Sequence, residues 1–172
     1  MSHLRNLAFA VALLGAGTSL AAAPAGGPSP IELGVYKDWT AYSYDSGPKK
    51  ICYMMSRPKK SDPKVDKRGQ AHIMVTHRPA AKALNEVSIA AGAPFKKDSK
   101  VTASVEKAKF ELFTKDDKAW SEKEDSKLVE TFRKAEQVEV KLQIEKGAVT
   151  DTYSLNGFGA ALGAINKACN VR

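Results

Sequence analysis

Three glycines near the C-terminus raise the first chemical possibility. Gly157-x-Gly159-x-x-x-Gly163 follows a strand-like run and opens an apolar helical stretch. Strand, glycines and helix in that order begin a dinucleotide site, where helix N–H groups receive a phosphate. Such a site also needs a second strand and an acidic ribose ligand about 20 residues further on. Only nine residues separate Gly163 from Arg172, so no cofactor is expected. The glycines read instead as structural. Gly157 turns the chain off the strand, while Gly159 and Gly163, four apart, share a helix face and would permit close approach to a sheet.

Other chemistries fare no better. His72 and His77 lie five apart on one strand-like run. Odd spacing sends them to opposite faces, so they cannot chelate one ion together, and no further residues stand at zinc spacing. No metal site is expected. There is no Gly-x-Ser-x-Gly elbow for a serine nucleophile. Asp116, Asp117, Glu122, Glu124 and Asp125 are mixed with lysines in KDDKAWSEKEDSK. That stretch reads as a solvated loop around one buried tryptophan, Trp120, rather than a facing carboxylate pair of the glycosidase kind. No catalytic residue is expected, and the chain reads as non-enzymatic. Trp39, Tyr42, Tyr44, Tyr53 and Trp120 could stack on sugars if exposed, but core packing is the default for such rings.

The N-terminus says where the protein works. Arg5 precedes a short apolar run, LAFAVALLGAG, and then small residues up to Ala25. That order predicts a cleaved secretory signal over residues 1–25. The run is too short for a spanning helix, which needs about 20 residues, and no later run is long enough. Residues 26–34 read as a flexible leader and 35–172 as one domain. In an exported protein the two cysteines, Cys52 and Cys169, most simply form one disulfide; the alternative is two buried free thiols.

Period-two alternation must position all of these side chains. It is clearest in Val138-Glu139-Val140-Lys141-Leu142-Gln143-Ile144-Glu145, a strand with one face on a core and the other in water. Similar runs occur at 36–44, 51–56, 71–76, 86–90, 101–106, 110–113 and 150–155. About eight short strands predict an all-β, mostly antiparallel β-sandwich. Two helices interrupt it. One, near 126–135, carries Leu128, Val129 and Phe132 on one face, with Asp125 or Ser126 as its cap. The other, over 157–169, carries the stripe Phe158, Ala161, Leu162, Ile165 and Cys169, which turns Cys169 toward the core.

The formal net charge is +8, which favours acidic partners such as anionic headgroups or glycans. Lys59, Lys60, Lys64, Lys67 and Arg68 are the densest cations, a candidate polyanion-binding patch within a stretch that otherwise reads as a solvated loop. No nucleic-acid motif accompanies them, so acidic polymers are candidate partners and nucleic acid is not.

An ordered series of residues then resembles a known family. It includes Trp39, Cys52-Tyr53, Ser56, Arg68-Gly69, Thr76-x-Arg78-Pro79, Asn85-Glu86-Val87-Ser88, Gly92, Ala119-Trp120, Thr152-Tyr153-Ser154-Leu155-x-Gly157 and Ala168-Cys169. In this order, across nearly all of 36–170, the series resembles the invasion-associated locus B family, exported proteins of Gram-negative bacteria. The resemblance implies a β-rich domain of the periplasm or outer envelope with a cysteine near each end, mapping onto Cys52 and Cys169. It implies no catalytic residues. Its founding members are linked to host-cell invasion, a role that does not transfer safely, so the expected partner is an unidentified protein or a component of the envelope or a host surface. Ala93 departs from the pattern, which commonly has an aromatic there. The competing expectation is a periplasmic enzyme or chaperone-like factor.

Overall fold

Alternation of apolar and polar residues governs nearly every element of the structure, a computed structural model that describes residues 29–171 apart from 46 and 48. Eleven strands form: β1 Ile31–Tyr36, β2 Trp39–Tyr44, β3 Ile51–Ser56, β4 Lys60–Asp62, β5 His72–Arg78, β6 Ala83–Ala90, β7 Lys100–Val105, β8 Ala108–Lys115, β9 Lys118–Trp120, β10 Gln137–Ile144 and β11 Gly147–Ser154. Helix α1 spans Asp125–Phe132, and α2 spans Phe158–Cys169. The predicted signal over 1–25 lies outside the described residues. The described residues contain no helix long and apolar enough to cross a membrane.

The strands join into one antiparallel sheet in the order β1-β2-β3-β5-β6-β9-β8-β7-β10-β11-β4. The β10–β11 hairpin is its most regular part, with unbroken pairing from Gln137↔Ser154 to Ile144↔Gly147. Val138, Val140, Leu142 and Ile144 are buried while their neighbours are exposed. Inward residues from both arms of the sheet belong to one apolar cluster. The arms therefore face each other across a shared core, as two sandwich layers do, but the layers are parts of one curled sheet. A hydrogen bond between the arms draws the curl together: Asp38 N–H donates to the Asn156 carbonyl at 3.2 Å. The Trp39 indole N–H adds a bond to the Ser154 carbonyl at 3.0 Å. The fold is the mostly antiparallel β class with two helices that the sequence pattern predicts.

Several boundaries differ from expectation. The run 36–44 is not one strand. Lys37, at φ 54°, and Asp38 turn the chain between β1 and β2. Strand β1 also begins at Ile31, inside the predicted leader; it is an edge strand with Ile31 and Val35 exposed, so burial gives no periodic signal there. Helix α1 stops at Phe132, three residues short of the predicted end, after burying Leu128, Val129 and Phe132. Its expected cap by Asp125 or Ser126 does not form. The Asp125 carboxylate instead accepts the Val87 N–H of β6 at 2.8 Å, which fastens α1 to the sheet. KDDKAWSEKEDSK is not a loop throughout: Lys118–Trp120 forms β9, with Ala119 buried and Trp120 partly exposed.

Candidate functional site

Two ties hold the curled sheet closed, and the residues singled out from the sequence meet at them. The first is covalent. Cys52, inward on β3, is bonded to Cys169 at the end of α2, with Cα atoms 6.0 Å apart. The helix arrives there by a tight path. Gly157 takes φ 91°, and a Cβ at that position would collide with the Tyr36 carbonyl; only glycine fits. Phe158 then meets Trp39 edge-on at 4.9 Å between centroids and Phe132 at 5.6 Å. The stripe Phe158, Ala161, Leu162, Ile165 and Cys169 is buried as predicted. Gly159 and Gly163 are not close-approach residues, because space is open where their Cβ atoms would stand.

His77 lies beside this tie. It pairs with Cys52 in the sheet register and is fully buried. Its Nδ1 accepts the Asn85 backbone N–H at 3.0 Å, which places the ring proton on Nε2, 2.7 Å from the Asn166 Oδ1 of α2. Burial pushes its pKa below the ordinary histidine range, with the Asn166 bond opposing the shift. His77 is a neutral structural group bridging sheet and helix. His72 sits on the partly exposed start of β5. The described residues hold no cluster of His, Cys, Asp or Glu that could bind a metal ion.

The second tie is ionic. Val149, Asp151 and Tyr153 point inward from β11, so one carboxylate lies on an apolar face with no exposure. Arg68 meets it with both terminal guanidinium nitrogens, Nη1 and Nη2, at 2.8 and 2.6 Å. Ser61 donates to the same carboxylate at 2.6 Å, and Arg68 Nε donates to the Ala91 carbonyl at 2.6 Å. The hydrogen-bonded carboxylate raises the Arg68 pKa still further. Next to it, Gly69 N–H donates to the Gly92 carbonyl at 2.7 Å. Tyr153 completes the group; burial drives its pKa upward, and its hydroxyl has no partner among the described residues.

This geometry corrects the reading of the basic stretch. Lys59, Lys60, Lys64 and Lys67 are exposed, but the Arg68 side chain is only 7% exposed and fully engaged. It is a structural latch, not part of a polyanion-binding surface. Lys60–Asp62 also forms edge strand β4 on β11, so the stretch is not wholly loop. Asp151 was not foreseen as a site residue, although its in-step position between Val149 and Tyr153 signals an inward carboxylate needing a cation.

Two further regions face solvent. A hollow of about 710 Å³ lies at the start of α2, where Gly159 and Ala160 meet Lys59 and Arg133. Lys59 pairs with Asp38 and Arg133 with Glu130, and no aromatic ring lines this hollow. On the outer face of β2 and β3, Tyr42 and Tyr53 stack at 5.1 Å with 21° between their planes. Trp39, by contrast, is wholly inside the core.

These features define a class first: a curled antiparallel β domain closed by a C-terminal helix and one long-range disulfide. The sequence pattern of the invasion associated locus B (IalB) proteins matches residues 39–166, and the chain belongs to that family. No curated protein matches the chain, and no solved structure does.

Proposed function

We propose that this IalB-family protein is exported to the periplasm or outer envelope and works there by binding a partner on the envelope or on a host surface, without catalysis. The Cys52–Cys169 bond carries the export reading, because such bridges persist in oxidising compartments. The binding reading draws support from the interior. Arg68 is spent on Asp151, His77 on two asparagines, and Asp125 on a backbone amide. Groups that could serve as acid, base or electrophile are thus used separately as structural ties, whereas a catalytic set converges on one reacting centre.

Fractionation of cells expressing the full chain, with thiol alkylation and intact mass, tests export. The expected result is a shortened, oxidised protein in the periplasmic or envelope fraction; a reduced cytosolic protein would sink the proposal. Pull-down from envelope extract with the oxidised protein tests binding. A saturable partner is expected, and turnover of a substrate at a defined site would replace binding with catalysis.

A further inference from the structure

The basic stretch and the aromatic face meet at one groove. A hollow of about 340 Å³ opens on the outside of the sheet, lined by Lys37, Asp38, Tyr42, Met55, Arg57 and Lys59. Of its lining, Tyr42 is backed by its cross-strand partner Tyr53, which stacks on the Tyr42 ring from outside the hollow. Both rings are partly exposed, and Lys37, Arg57 and Lys59 are exposed around them.

The rim is held in place. Ser56 Oγ donates to the Asp38 carbonyl at 2.6 Å, and Asp38 N–H is bonded to Asn156. These bonds fix the β1–β2 turn against the end of β3. Lys37 donates to the Asn156 side chain at 3.0 Å, and Lys59 pairs with Asp38. That hydrogen-bonded ammonium holds the Asp38 carboxyl below its usual range. Each lysine keeps further N–H donors for a ligand. Arg57 has no ion-pair partner among the described residues and presents a planar fork suited to carboxylate or sulfate.

We propose that this groove binds an anionic polysaccharide, with Tyr42, backed by Tyr53, stacking on a sugar ring and Arg57, Lys37 and Lys59 taking the acidic substituents. The proposal rests on the reading of the protein as an exported binding domain. Aromatic faces suit the apolar C–H face of a pyranose, while the cations supply charge complementarity. The neighbouring hollow around Lys64 and Lys67, of about 510 Å³, shares Arg57 with the groove but has no aromatic lining. It therefore lacks the stacking half of the site and serves as the control.

Binding of a heparin oligosaccharide to the oxidised protein at about 0.15 M salt, where exposed charges are screened beyond about 8 Å, tests the groove. Uncharged dextran and a single-stranded DNA oligomer are the comparison probes. Tyr42→Ala and Arg57→Ala should each weaken heparin binding about ten-fold, as loss of an anchor side chain does. Tyr42→Phe should retain it, and Lys64→Ala/Lys67→Ala should change it less than about two-fold. Unchanged melting of the oxidised variants confirms that they fold. No binding of heparin, equal loss in the lysine control, an inert Tyr42→Ala, or tighter binding of DNA would each overturn the assignment. If Tyr42→Ala and Arg57→Ala still capture the wild-type partner from envelope extract, the groove is wrong and the general binding role stands.

Discussion

The covalent and ionic ties perform the same task by different physics. Cys52–Cys169 fastens α2 to the first arm of the sheet, and Arg68–Asp151 fastens the segment after β4 to the second. A disulfide acts largely by restricting the unfolded chain, so breaking it leaves native packing in place but no longer enforced. A buried ion pair acts in the folded state, where each charge has lost its water and depends on the other. The two ties should fail differently: one loses restraint, the other exposes an uncompensated charge.

The largest effect is expected at the ionic tie. Arg68→Ala strands Asp151 inside the core and should cost about 3–5 kcal/mol, as loss of one partner of a buried pair does. Chemical denaturation of the oxidised protein would show it. The paired replacement Arg68→Met/Asp151→Leu sharpens the point, since removing both charges should recover most of that loss. If the double variant is as unstable as the single one, the network contributes more than mutual neutralisation. Reduction of Cys52–Cys169, or replacement of both residues by serine, should cost about 2–4 kcal/mol and leave the spectrum of the folded state unchanged. A disordered α2 in the reduced protein would show that the bond also positions the helix.

A smaller effect belongs to pH, and it should appear at the covalent tie. Burial lowers the folded-state pKa of His77, whereas the unfolded chain titrates near 6.5. Below that value the unfolded state takes up a proton that the folded state refuses, so stability falls as pH drops through the mid-6 range. The decline ends beneath the folded pKa, where both states are protonated. His77→Gln should flatten that slope in a series of melts, and an unaltered slope would place the titration elsewhere. The smallest effect is expected from Lys64→Ala, an exposed residue, within about 0.5 kcal/mol. A larger loss would mean that the segment carrying Arg68 relies on more than its latch.

The same contrast explains how far the sequence could be read. The stripe on α2 and the alternation in β10 announce their buried faces, because burial and periodicity coincide there. The cysteines were legible because two of them allow one pairing within the chain. Arg68 was misread because local composition describes its neighbours, which are exposed, and not the distant strand that receives it. The latch joins residues 83 apart, and no local pattern encodes that distance. Short edge strands escaped for a related reason: β1 and β4 each pair on one side only, and little of their surface is hidden. The tyrosine pair was visible as composition, but only the register Tyr42↔Tyr53 shows that the rings stand together on the outer face.

The 117-residue span of the disulfide sets an order of events. Cys52 belongs to the third strand, and its partner arrives only after β11 has been made. While the chain emerges from its N-terminus, the core on the inner face of β2 and β3 has no lid, because α2 supplies it last. Phe158, Leu162 and Ile165, which are buried against the sheet, follow every strand in the sequence. A nascent chain of this kind cannot close its disulfide until the final turns of α2 have been made.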